Sequence, residues 1–154
     1  MGDFPHIAHQ AFFGAAAALG FGVLFNIAPR TLFLCACAGG LALSVRTVGL
    51  QAGWSLEAAS FAAAFSLGCG VQFLHFRTGI ARNTLAVSGC IPMVPGSFAA
   101  KTILALLALT APDPANVSGA IEEATVYGLR VVFTFGAIGA GLAIPTQFLR
   151  GRDL

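Results

Sequence analysis

Five apolar runs, each long enough to cross a bilayer, follow one another with only short polar joints: about 9–28, 31–50, 54–76, 83–110 and 125–149. A spanning helix needs roughly 20 predominantly apolar residues, and in lipid it satisfies its backbone polar groups within the segment. The alternative, a very apolar soluble bundle, needs a polar coat. Of the 154 residues 57% are hydrophobic and only 9% are charged, against roughly 25% charged in a soluble domain. Too few Lys, Arg, Asp and Glu are present to cover a soluble core. The chain therefore reads as an all-α integral membrane protein, a single transmembrane domain over 1–154 with five transmembrane helices. Its small positive excess sits between the runs, which argues against nucleic acid as a partner.

The start, MGDFPHIAHQ, has an aspartate and two histidines where a secretory n-region carries Lys or Arg, so the first run is expected to be retained. It also lacks the Ser or Thr at the sixth position that myristoylation requires. With five spans, Arg30, Arg77, Arg82, Arg150 and Arg152 share one side, and Asp3, Glu57, Asp113, Glu122 and Glu123 the other. The positive-inside rule then places the N-terminus outside and the C-terminus in the cytoplasm. A re-entrant fourth segment would leave four spans and part Arg150 and Arg152 from Arg77 and Arg82. Arg46 and Arg130 lie near span ends, where a long cationic side chain can snorkel to the interface.

The fourth run, Asn83 to Thr110, differs from the rest. It is interrupted by Pro92, Pro95 and Gly96 and carries Lys101 just past the break. Each proline removes a donor and clashes with the carbonyl one turn back. In lipid, such a break persists only where protein or a water-filled cavity satisfies the freed backbone groups. Ser97 is expected to cap a new half-helix whose free N–H groups point at the break, with Lys101 one turn further on. A positive helix end, a hydroxyl and an ammonium in a low-dielectric surround favour a carboxylate, as in transporters built from discontinuous helices. The plainer reading is that the prolines kink a packed helix and Lys101 snorkels outward. Pro92, Pro95, Gly96, Ser97 and Lys101 are thus candidate substrate contacts. Asn26, near the exit of the first span, is either a second polar contact or an interfacial cap.

The remaining features read as scaffold. Cys35, Cys37, Cys69 and Cys90 show no C-x-x-C or Cys/His spacing, so neither a metal nor a disulfide framework is expected. The AAAALGFG run of the first span and GAIGAG, Gly136 to Gly141, are expected close-packing faces. His75 is read as an interfacial residue, with a proton relay as the alternative. Asp113 before Pro114 predicts a helix start. No P-loop or other nucleotide motif is present, so coupling to protons is expected and no cofactor is implied. An intramembrane enzyme using Ser97 with His75 lacks a recognisable nucleophile motif, and no enzymatic activity is expected.

FNIAPR, Phe25 to Arg30, Arg77-Thr78 and SGCIPMVPGSFAAK, Ser88 to Lys101, together resemble the threonine/serine exporter family, in its small membrane domain. The most specific part is Ile91 to Ser97. Members carry a proline where Ser88 stands and a Tyr-Arg pair where Ala100-Lys101 stands; the glycine and proline skeleton and the positive charge are kept. The resemblance implies a subunit of a secondary exporter in the bacterial inner membrane, multi-pass, moving threonine, serine or a dicarboxylate such as succinate. It implies a large membrane subunit of the same family as partner, in a hetero-oligomer, or else a homo-oligomer. The rival expectation is a structural or assembly subunit without a substrate site of its own.

Overall fold

Proline, glycine and side-chain caps set where the apolar runs begin and end as helices. The structure, a computed structural model, describes residues 3–110 and 117–150. Among these residues there are helices and the turns joining them, and no strand: α1 Asp3–Leu24, α2 Pro29–Gln51, α3 Leu56–Thr78, α4 Arg82–Cys90, a single 3-10 turn Ile91–Met93, α5 Gly96–Leu109 and α6 Val117–Arg150. Four helices are long and apolar enough to cross a membrane; α4 with its 3-10 turn and α5 form a pair bent by 58°, which makes a fifth span if it crosses and leaves four if it is re-entrant. The helix start expected at Asp113-Pro114 lies outside the described residues.

The first span stops earlier than its apolar run. Asn26 has φ 54°; its N–H donates to Val23 at 2.9 Å and the Ile27 N–H to Gly22 at 3.0 Å. This is a Schellman stop, in which a left-handed residue turns the chain out of the helix. Pro29 then opens α2 at a position where no N–H is needed. Ser55 caps α3 by accepting from the Ala58 N–H at 3.2 Å, and Gly79, φ 70°, ends it. At that end the His75 Nδ1–H donates to the Ile80 carbonyl at 2.7 Å, which ties the ring to the turn before α4. Because Asn tolerates the left-handed region and β-branched residues do not, Asn26→Gly should leave thermal stability unchanged. Asn26→Val should cost about 1–2 kcal/mol, read as a lower melting temperature of the purified protein in detergent.

The described chain forms two compact units, one of Met1–Met93 with Ala137–Leu154 and one of Val94–Gly136. In the first, α1 and α2 run antiparallel at backbone contact. A Cβ on Gly14 would lie 2.7 Å from the Gly39 carbonyl oxygen, and one on Gly39 would collide with Ala18 and Gly14. α3 returns against α2, with Gly49 beside Ala59, and α4 returns against α3, with Gly89 beside Leu67. The last stretch of α6 runs parallel to α3, Gly141 seated on Phe61 and Phe65 and Pro145 against Gly68. The chain thus enters this unit at one end and leaves it at the other. The buried centre is built from Cys35, Ala42, Ala63, Ala64, Leu67, Val71, Leu85, Met93 and Ile138. Small residues are inside, whereas Phe12, Phe33, Phe73 and Phe148 are exposed. This inversion of a soluble core is what lipid allows, since tails solvate Phe as well as protein does and helices associate by close packing.

In the second unit α5 lies against the first part of α6, with Thr102 beside Gly128. Phe98 stacks on Tyr127 at 5.9 Å. Hydroxyls in both units mostly answer their own helix: Ser44 donates to Gly40, Thr47 to Leu43, Thr102 to Phe98 and Thr125 to Ile121. Bonded this way, they contribute little between helices. The GAIGAG face is only partly a packing face, since Gly141 alone of its glycines is in close contact; Gly136 and Gly139 meet nothing within 4 Å.

Candidate functional site

The break begins where α4 runs into Pro92. Without an N–H at that position the helix tightens into one 3-10 turn over Ile91–Met93 and stops. Ser88, fully buried one turn earlier, directs its Oγ to the Thr84 and Leu85 carbonyls at 3.0 and 3.3 Å. The Met93 carbonyl, freed by the break, is taken by Arg46 of α2, whose Nη1 donates to it at 2.9 Å. Arg46, near a span end, is half-buried, and its fork reaches the Met93 carbonyl because an acceptor left bare by the break is a strong partner within reach. Arg46 lines a cavity of about 400 Å³ together with His6, Gln10, Leu43, Thr47, Leu50, Gln51 and Pro92. The Arg46 Nε is buried and has no partner among the described residues.

The second half of the break belongs to the other unit, where Pro95 precedes α5 as its N-cap residue, with no side-chain cap. Ser97 was expected to be that cap. The geometry puts it at the second helical position, because the Pro95 carbonyl already accepts from the Phe98 and Ala99 N–H groups, each at 3.1 Å, and the Gly96 N–H donates to Val94 at 2.8 Å. Proline at the cap has no N–H, so among the described residues Ser97 carries the one first-turn donor without a backbone partner. The anion-binding end of α5 is correspondingly smaller than a free helix start. Gly96, Ser97 and Lys101 are all exposed.

Lys101 is held by aromatic rings. Its Nζ stands 5.0 Å from the Tyr127 ring centre, and Arg130 lies 5.4 Å over the Phe98 ring stacked on it. Each cation thus meets one ring of the pair, a contact worth about 0.5–1 kcal/mol where exposed. Lys101 and Tyr127 also line a groove of about 500 Å³ with Ala105, Ala120 and Glu123.

Of the residues singled out from the sequence, the structure places Pro95, Gly96, Ser97 and Lys101 along the start of α5 and sets Pro92 beside Arg46. Asn26 is not brought to Pro92. The cavity of Pro92 sits at the Gln10 end of α1, and from Gln10 to the Asn26 end the helix rises about 21 Å. Two features escaped the sequence reading. Arg46 carried a signal, an arginine inside an apolar run, which is functional by default unless it reaches the interface. The Lys101–Tyr127–Phe98–Arg130 stack carried none, since its members meet only once α5 and α6 pack.

The sequence matches the family described as Threonine/Serine exporter, ThrE, over residues 10–148. An uncharacterized protein of Haemophilus influenzae is 30% identical over 141 residues, covering 90% of this chain and 46% of that protein. The chain therefore spans about half the length of this curated relative. No solved structure matches it. With the family match running through the first span, the broken segment and nearly all of α6, this multi-pass membrane protein belongs to the threonine/serine exporter family.

Proposed function

We propose that the chain is the membrane half of a secondary exporter of small carboxylate-bearing metabolites, threonine and serine or a dicarboxylate such as succinate. It works in the bacterial inner membrane, N-terminus outside, driven by protons and paired with a larger membrane subunit of the same family or with further copies of itself. One observation carries the reading: in a chain of this family the fourth apolar segment is interrupted at Pro92 to Gly96, and a cationic side chain reaches the break. Irregular backbone at membrane depth is the usual place for a transporter's substrate site. Ser97, the backbone from Pro92 to Gly96 and Lys101 are the substrate contacts in this reading, with Asn26 a contact at the other end of α1.

Efflux of preloaded threonine, serine and succinate, from cells with and without the gene, alone and with a candidate large subunit, tests it. Faster loss of at least one of the three is expected; no acceleration under any pairing would remove the substrate class. Ser97→Ala and Lys101→Ala should each lower that efflux by about tenfold, the loss expected for one hydrogen bond to a charged group. A second reading, an assembly subunit without a substrate site, draws on Gly20, Gly136 and Gly139, small positions that meet nothing within 4 Å and suit close approach of another helix. It predicts full efflux from both alanine variants.

A further inference from the structure

We infer that the cavity at the Pro92 side of the break is a carboxylate subsite whose cation is Arg46. The inference rests on the exporter reading and deepens it by naming the group that holds the anionic end of the substrate. A guanidinium has five N–H donors in a planar fork. Among the described residues, only the bond from Nη1 to the Met93 carbonyl engages Arg46, and its Nε is buried with no partner. An arginine drawn into a membrane protein with no counter-ion among the described residues is costly, and an anion arriving there offsets that cost.

The walls agree with an anion. His6, Gln10, Thr47 and Gln51 supply polar side chains, and no carboxylate is among the described lining residues. Thr47 is already bonded to Leu43, which leaves the two glutamine amides and the imidazole to orient a ligand. The cavity, about 400 Å³, lies inside the roughly 300–1,000 Å³ of small-molecule sites. A planar carboxylate matches the remaining edge of the guanidinium with two parallel hydrogen bonds, which a lysine ammonium cannot reproduce. The bond to Met93 fixes the fork, so the ligand meets a cation already oriented.

Equilibrium binding to the full chain in lipid nanodiscs tests this with two matched pairs, succinate against succinamide and threonine against threoninol. At least one carboxylate should bind, and its neutral partner about tenfold or more weakly. Arg46→Lys keeps the charge and loses the fork, and Gln51→Leu leaves the Met93 bond in place; both should weaken the carboxylate by about tenfold. Arg77→Gln, at the far end of α3, should bind as the parent does. Equal binding of acid and neutral analogue, or undiminished binding by both Arg46→Lys and Gln51→Leu, overturns the subsite. If efflux persists in those variants the exporter reading survives that loss. If the parent neither binds nor exports a carboxylate, the exporter reading falls and the subsite with it.

Discussion

Gly39→Ile should destroy the α1–α2 pair, whereas Gly20→Ile should leave the protein unaffected. Both glycines sit in apolar helices, and the sequence offers no reason to treat them differently. At Gly39 an added Cβ runs into Ala18 and the backbone of Gly14, and the opposed Gly14 would itself meet the Gly39 carbonyl at 2.7 Å. Backbone cannot rotate aside as a side chain does, so the helices must separate. In lipid no hydrophobic force draws them back, because tails solvate the exposed face as well as protein did. The cost should lie at or above the upper end of the about 1–3 kcal/mol typical of overpacking. Around Gly20 nothing lies within 4 Å. Thermal unfolding in detergent, followed by the fluorescence of Trp54, the chain's one tryptophan, separates the two. Equal melting of Gly39→Ile and the parent would contradict the close approach of α1 to α2.

Pro92→Ala combined with Pro95→Ala should raise stability and lower export. Each alanine restores an N–H and removes a ring clash, and a proline inside a helix costs about 3 kcal/mol. With both replaced, the chain from Arg82 to Leu109 can continue as one helix, and the Met93 carbonyl then pairs with its own helix. Arg46 loses its acceptor and the break its exposed backbone. Efflux should fall by about tenfold or more, while the protein accumulates normally and melts at a higher temperature. The opposite signs are the informative part, since a site that needs irregular backbone exchanges stability for activity. Unchanged efflux from a more stable protein would mean that the break is only a bend.

The helices themselves were legible because apolar length is a property of the run alone. Their ends were less so. The first run continues to Ala28, but α1 stops at Leu24, since the left-handed Asn26 turns the chain out before the apolar residues end. α6 begins at Val117, eight residues before the apolar stretch expected to start at Thr125, because Glu122 and Glu123 lower hydropathy without opposing a helix. At the break, sequence located the prolines and misassigned the cap. Ser97 looks like a cap until the Pro95 carbonyl is seen to accept the first helical bonds. Arg46 shows the limit most clearly. Where its fork reaches depends on a carbonyl forty-seven positions later, which only packing brings beside α2.

The parallel course of α3 and the end of α6 bears on how a chain of this kind can be joined to another. Its beginning and its end open from opposite faces of the first unit. A further half, of the kind that a relative of twice this length contains, therefore emerges on one face if fused before α1 and on the other if fused after α6. Moving that half from one end to the other turns it over with respect to the bilayer if it crosses an even number of times, and keeps its orientation if it crosses an odd number. The order of the halves in a fused chain is for this reason part of its architecture.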